Sequence, residues 1–247
     1  MPTELPVERD QVFSEPNAKV TDFHFGAEVV AVFDDMVGRS VPFYAEMQRM
    51  ISELAADFVA EGSNVYDLGC STGTTLLAMH PTVHPAARFI GIDKSEDMLA
   101  RCQKKVGGAL AGRSLELRCG DLNQGVEIDN ASLVTLILTL QFVRPLHRDR
   151  LISDVFKGLN NNGCLILVEK VLGEDSLFNR LFIKYYYDLK RRNGYSETEI
   201  AQKRDALENV LIPYKLLENR EVLLRSGFRY VDVFFKWYNF CGMVAVK

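Results

Sequence analysis

Cysteine is scarce and scattered. The 247 residues hold five, Cys70, Cys102, Cys119, Cys164 and Cys241, an odd number with no CxxC pair. That distribution argues against both a disulfide framework and a cysteine zinc site, and it makes a reducing cytoplasm the economical compartment. Long apolar runs are missing as well. A membrane-crossing helix needs roughly 20 apolar residues, whereas the longest run here, residues 133–140, is interrupted by Thr135 and Thr139; no membrane partner is expected. Residues 1–10 contain acids and no apolar stretch, which is not the build of a secretory signal. There is no excess of positive charge: 29 Lys+Arg stand against 33 Asp+Glu, a net charge of −4. Extensive direct contact with a phosphate backbone is therefore disfavoured. Two nucleotide signatures are absent too. Gly69 and Gly73 are separated by Ser71 where a G-x-G-x-x-G fingerprint needs glycine, and no Gly-Lys-Ser/Thr follows the turn. His80 and His84 have a helical zinc spacing, but Pro81 and Pro85 interrupt any helix and no Glu follows His80, so no metal is expected.

What is present is an ordinary globular composition, 47% apolar and 25% charged, in a chain long enough for one sizeable core. No internal repeat, low-complexity tract or linker divides it, so a single domain over residues 1–247 is expected, with residues 1–25, bearing Pro2, Pro6 and Pro16, as an extended arm. Apolar residues three and four apart (Phe43, Met47, Met50, Ile51, Leu54, Phe58) predict an amphipathic helix over residues 43–59. Strand-like runs follow at residues 64–68, 88–92, 115–119, 133–140 and 164–168. Helical stretches lie between most of them, among them residues 95–106, opened by a Ser cap, and 147–159. This alternation predicts an α/β fold with a parallel sheet covered on both faces and ligands at the carboxyl ends of its strands. Beyond residue 168 the chain reads as helical over 178–190, 196–210 and 218–225. It closes with two β-rich runs, 229–235 and 239–246, close enough to form an antiparallel pair at the sheet edge.

The strongest site signal is Val65-Tyr66-Asp67-Leu68-Gly69-Cys70-Ser71-Thr72-Gly73, a strand entering a glycine turn before a helix. Glycine lets the backbone approach a ligand, and the helix start offers free N–H groups. Asp93 ends the second strand, where a carboxylate can accept from both ribose hydroxyls. Asp121, followed by Leu122, ends the third, where a side chain meets an adenine amino group. Each acid alone suits a turn or cap; three in order at successive strand ends form a set. Cys70 has no His near it in sequence and is read as packing plus a backbone contact.

That set resembles the class I S-adenosylmethionine (SAM)-dependent methyltransferases, Rossmann-like proteins with a seven-stranded, mostly parallel sheet and a terminal antiparallel hairpin. The resemblance implies N-terminal helices, a helical elaboration over residues 173–215, and a cofactor wall in which Asp67, Gly69 and Ser71 meet the methionine moiety, Asp93 the ribose and Asp121 with Leu122 the adenine, with Cys70 and Lys94 also in the cofactor site. A narrower resemblance involves the flanks: Phe33-Asp34-Asp35-Met36, Arg39-Ser40-Val41-Pro42-Phe43-Tyr44, Thr139-Leu140-Gln141-Phe142, Asn193-Gly194-Tyr195-Ser196, Gln202-Lys203-Arg204 and Leu207-Glu208-Asn209-Val210. Together they resemble the carboxy-S-adenosyl-L-methionine (carboxy-SAM) synthase family. This implies that prephenate loses carbon dioxide to give phenylpyruvate, and that the SAM methyl carbon, deprotonated to an ylide, captures it. Carboxy-SAM then serves wobble-uridine tRNA modification through a partner enzyme. The resemblance also implies a homodimer with residues 173–215 at its interface. Arg204, reaching in from the other subunit, would be the carboxylate clamp and Tyr44 a cofactor contact. Read alone, Arg204 belongs to a charged helix face and Tyr44 to a core or interface. The run Lys190-Arg191-Arg192 suits a helix C-terminus, or attraction of a dianionic substrate.

The family carries Asn where this chain has Ile137, Ser where it has Val168, and Asn where it has Lys94. Ile offers no amide, so the methionine end must be held differently. Two alternatives stand beside the synthase reading. One is an ordinary methyltransferase on a small molecule, since the chain has no adjacent prolines and hence no Asp/Asn-Pro-Pro-Tyr motif, and no Pro-Cys nucleophile. The other is a protein that binds SAM or carboxy-SAM without turnover.

Overall fold

The computed structural model describes residues 8–15 and 21–247. Part of the expected arm, residues 1–7 and 16–20, lies outside the described residues; 8–15 and 21–25 form neither helix nor strand. Eight helices and seven strands follow: α1 (Ala27–Ser40), α2 (Tyr44–Phe58), β1 (Asn64–Leu68), α3 (Thr74–Met79), β2 (Arg88–Asp93), α4 (Glu96–Val106), β3 (Leu115–Cys119), β4 (Ala131–Ile137), α5 (Pro145–Gly158), β5 (Leu159–Lys170), α6 (Ser176–Arg192), α7 (Glu197–Leu207), α8 (Leu216–Arg225), β6 (Tyr230–Trp237) and β7 (Phe240–Val246).

The strands form one sheet in the order β3-β2-β1-β4-β5-β7-β6. The first five are parallel, and β7 runs antiparallel between β5 and β6. The order reverses between β1 and β4, and this switch point opens the crevice at their carboxyl ends.

The alternating pattern of the strands divides the core. Tyr66, Val134 and Leu165 face one side, against Leu151 and Val155 of α5 and Leu223 of α8. Val65, Leu133 and Ile166 face the other, against Met47 and Ile51 of α2 and Leu76 of α3. A third cluster, Phe23, Val29, Val32 and Met36 with Met98 and Ala206, seats the N-terminal segment and α7 over the carboxyl end of the sheet as a roof.

Local chemistry sets the helix ends. The Ser95 hydroxyl accepts from Met98 N at 3.3 Å to start α4. Ser196 and Glu199 form a reciprocal capping box on α7. Most boundaries lie within two residues of the sequence expectation, and three larger differences stand out. The strand expected over 133–140 ends at Ile137, because Leu138 takes φ 59 and leaves the sheet. β5 begins early, at Leu159, where an irregularity in the register lets Leu159 pair with Ala131. α7 stops at Leu207 rather than at residue 210.

Candidate active site

A cavity of about 750 Å³ sits at the switch point, under the roof, within the roughly 300–1,000 Å³ typical of ligand pockets. Its floor is the turn after β1. Gly69 and Gly73 take φ 80 and 83, and Ser71 φ 48. Gly69 N and Cys70 N both donate to Ile92 O, at 2.7 and 3.0 Å, fixing the turn to β2. Close packing leaves no room for a larger residue: a Cβ on Gly69 would lie 2.4 Å from Thr139 Oγ1. Cys70 is buried, and its thiol is pushed up by the neighbouring Cys102 and by burial; it packs and does not attack. The turn is also held from behind. Asp34 on α1 accepts from Thr72 Oγ1 at 2.6 Å and from Lys105 Nζ at 2.8 Å, and Lys105 donates onward to Thr74 Oγ1 at 2.8 Å.

Gly69, Cys70 and Ser71 border the cavity, as do the strand-end residues Asp93, Lys94, Asp121 and Leu122, and also Tyr44 and Arg204. Asp93 accepts Ser71 N on one carboxylate oxygen and Ser95 N on the other, both at 2.9 Å. Each oxygen keeps lone-pair capacity for a ribose hydroxyl. Asp121 is more heavily engaged. It accepts Lys94 Nζ at 2.9 Å and both the backbone and side-chain nitrogens of Asn123. Burial works against its charge, but these donors outweigh burial and hold it at about 2. Lys94 therefore bridges the ends of β2 and β3 across the rim.

Asp67 is placed differently from expectation. It is 1% exposed and does not border the cavity, because the turn closes over it. Thr135 Oγ1 donates to its Oδ1 at 2.7 Å, while Oδ2 has no protein partner. Burial pushes its pKa to about 7. A carboxyl raised in the folded state keeps its proton while the unfolded one, near 3.9, has lost it. The folded state then binds more protons, and stability falls as pH rises from about 4 to about 7. Urea unfolding across that range is expected to show wild type losing stability relative to Asp67→Asn; parallel pH profiles would remove Asp67 from the account.

Tyr44 opens α2 behind Phe43, which takes φ 52. Its phenol is pushed up by burial, against hydrogen bonding with Thr74 and Gln48. Arg204 stands at the rim on α7, 58% exposed, with Asp205 holding its guanidinium at 2.8 Å. Ile137 borders the cavity without a side-chain donor. The backbone beyond it is organised by Glu169, whose two oxygens accept Leu140 N and Gln141 N at 2.9 and 2.8 Å. Burial raises Glu169 to about 8 against the pull of Arg148. Arg148, 1% exposed, donates to the carbonyls of Val143 and Ile212.

Sequence reasoning missed a cluster of three cations. Lys170, Lys190 and Lys203 come from the end of β5, the end of α6 and α7, and all border the cavity. The run at residues 190–192 is thereby split. Arg191 pairs outward with Asp188 and Glu197, whereas Lys190 turns inward and is 5% exposed. The sequence had offered residues 190–192 for attraction of a dianionic substrate without separating Lys190 from its neighbours; helical spacing does so, setting Lys190 a turn beyond Tyr186 and two turns beyond Ile183, with Arg191 one step off that line.

The glycine cradle and the paired strand-end acids fit an adenosyl sulfonium compound. Residues 65–163 match the methyltransferase domain family. Solved structures share the fold: an O-methyltransferase family protein from Burkholderia thailandensis superposes with a TM-score of 0.65 at 16% identity, over 90% of this chain and 60% of that one. The YcgJ protein from Bacillus subtilis does so with 0.61 at 13%, over 82% and 98%. The sequence relatives are far nearer. A protein from Methylococcus capsulatus named carboxy-S-adenosyl-L-methionine synthase is 60% identical over 97% of this chain and 99% of its own length. The chain belongs to the carboxy-S-adenosyl-L-methionine synthase family. A family member from a Shewanella species is 41% identical over 97% of this chain and 98% of its own. Fold and family together make the chain a SAM-dependent transferase. Among the described residues no helix is long and apolar enough to cross a membrane.

Proposed function

We propose that this chain carboxylates SAM at its methyl carbon, with prephenate as the donor, and releases carboxy-SAM, phenylpyruvate and water. Prephenate leaves as phenylpyruvate by losing its ring carboxylate as carbon dioxide and its ring hydroxyl as hydroxide. The hydroxide takes one methyl proton, acidified by the adjacent sulfonium, and becomes water. The resulting carbanion forms the new carbon–carbon bond with carbon dioxide. Water would reprotonate the carbanion and an open site would let carbon dioxide escape, so the roofed cavity serves by excluding solvent and holding the gas.

One observation carries the reading: the cavity that holds Gly69 and Asp93 is also bordered by cations, Lys170, Lys190 and Lys203. A neutral methyl acceptor gives that charge nothing to bind, whereas carboxy-SAM presents a carboxylate to a guanidinium fork. Asp93 takes the ribose, Asp121 and Leu122 the adenine edge, and Tyr44 with residues 69–71 the methionine end. Arg204 stands at an exposed rim, where a second copy of the chain can present it; a homodimer joined through residues 173–215 is part of the proposal. Transfer of the carboxymethyl group to wobble uridine in tRNA falls to a partner enzyme.

Incubation of the protein with SAM and prephenate is expected to yield a product heavier than SAM by one carbon dioxide, read by mass spectrometry. A methylated acceptor without that product would favour the methyltransferase reading. Arg204→Ala should weaken carboxy-SAM binding by the worth of a charged hydrogen bond, about 1.5 to 3 kcal/mol, and leave SAM nearly unchanged. Equal weakening of both would remove Arg204 from the role.

A further inference from the structure

The three cavity lysines are not equally compensated. Lys203, 6% exposed, has Asp10 Oδ2 at 3.7 Å. Asp10 also accepts the Tyr195 hydroxyl at 2.6 Å, and Arg39 beside it is paired with Asp35 at 2.8 Å. Lys170 and Lys190 have no carboxylate within ion-pair distance among the described residues. Both ammonium groups lie against one aromatic ring, 4.9 and 4.8 Å from the centroid of Tyr186. Burial lowers Lys170 to about 8. Lys190 is lowered well below its ordinary value by burial and by the nearby charges of Lys203 and Lys170. Lys190, buried, and Lys170, half-buried, stand beside an open cavity without a carboxylate partner, so their protons are held weakly in the free protein and more firmly once an anion enters.

We propose that Lys170 and Lys190 form a carboxylate-binding subsite that holds the 2-oxo-acid carboxylate of the co-substrate, the one retained in phenylpyruvate. The inference rests on the carboxy-SAM reading above. The choice between the two carboxylates of prephenate follows from charge. The ring carboxylate loses its charge on becoming carbon dioxide, so an ion pair there would stabilise the ground state over the transition state and slow the reaction. The 2-oxo-acid carboxylate keeps its charge throughout, so pairing it anchors the substrate at no expense to the barrier. Arg204 is left for the carboxylate that appears on the product, and Tyr186, which also borders the cavity, lies beside the anchor where the ring of the substrate would follow.

The test uses Lys170→Met and Lys190→Met in the full chain. Each replaces a lysine that has no carboxylate partner with an apolar side chain of similar length, so thermal unfolding should not fall. The KM for prephenate should rise at least about tenfold in either variant, with SAM affinity unchanged. A second measurement needs no turnover: binding of phenylpyruvate to the SAM-loaded protein, compared with phenylacetone, which lacks the carboxylate. Wild type should prefer phenylpyruvate, and the variants should lose that preference while binding phenylacetone as before. Wild-type KM values and an intact preference in both variants would overturn the subsite. Failure of the wild type to make carboxy-SAM from prephenate would overturn the functional reading instead, and the phenylpyruvate comparison would still decide whether the lysines bind a carboxylate.

Discussion

Gly69→Ala is expected to remove SAM binding almost entirely, raising Kd on the order of a hundredfold, or close to 3 kcal/mol. Two independent costs act at this position. A left-handed backbone at φ 80 disfavours any residue with a Cβ by roughly 1–2 kcal/mol. The Cβ itself would lie 2.4 Å from Thr139 Oγ1 and 2.5 Å from Thr139 Cγ2. Thr139 cannot simply turn aside, since its hydroxyl donates to Ile137 O at 3.2 Å and its backbone leads into the segment held by Glu169. The turn must shift instead, carrying with it residues 69–71, which border the cavity, and the Ser71 N–H that positions Asp93. Isothermal titration with SAM measures the loss. Gly108→Ala, at an exposed position where a Cβ meets nothing within 4 Å, is the control and should bind as wild type. Comparable affinities for the two variants would show that the turn tolerates displacement.

The second large effect is on stability. Glu169→Leu strands two backbone N–H groups, those of Leu140 and Gln141, and removes the carboxylate nearest in influence to the buried Arg148. Each buried N–H left without an acceptor costs about 1–3 kcal/mol, and the two together lower the Tm of a chain of this size on the order of 10 °C. Glu169→Gln keeps one acceptor and the side-chain shape, and should lose less. Urea and thermal unfolding separate the variants. A loss under about 1 kcal/mol in Glu169→Leu would mean that Arg148 is satisfied by its carbonyl partners alone.

The sheet was legible because its signal is local. Five parallel strands alternate between two apolar faces, and Ser95 and Ser196 mark helix starts where a side-chain oxygen is needed. The two closing runs pair antiparallel because the chain between Trp237 and Phe240 is too short for anything else. Where β4 ends was not legible, since the φ 59 of Leu138 answers to Val168 O and to the Glu169 carboxylate beyond it, partners some 30 positions away.

The site divides along the same line. Glycines and strand-end acids announce themselves because their neighbours in sequence are their neighbours in space. The flanking motifs had no such reading. Asp34 proves to hold the SAM turn from behind through Thr72 and Lys105, and Arg39 lies 4.1 Å over the ring of Tyr195, so two motifs far apart in sequence form one contact. The lysines were obscured by ordinary appearance. Spacing sets Lys190 on the line of Tyr186, but a lysine at such a position ordinarily reaches past the apolar face to water. Only the packing of α6 against its surroundings separates the buried Lys190 from the exposed Arg191. Asp67 shows the reverse: its place in the motif suggests contact with a ligand, whereas the structure places it 1% exposed beneath the turn, with Thr135 as its partner.

The Asp10–Tyr195 hydrogen bond joins residues 185 positions apart, and Phe23 N donates to Ala206 O across a comparable span. Loops that long close late, after local helices and neighbouring strands have formed. During synthesis the five parallel strands, all of which precede α7, can begin to pair while the roof is still missing, whereas β6 and β7 follow α7 in the chain. The cavity, and with it any affinity for SAM, comes into being only when roughly the last fifth of the chain is emerging. A truncated or stalled product would therefore carry the whole glycine turn and still be unable to enclose a substrate.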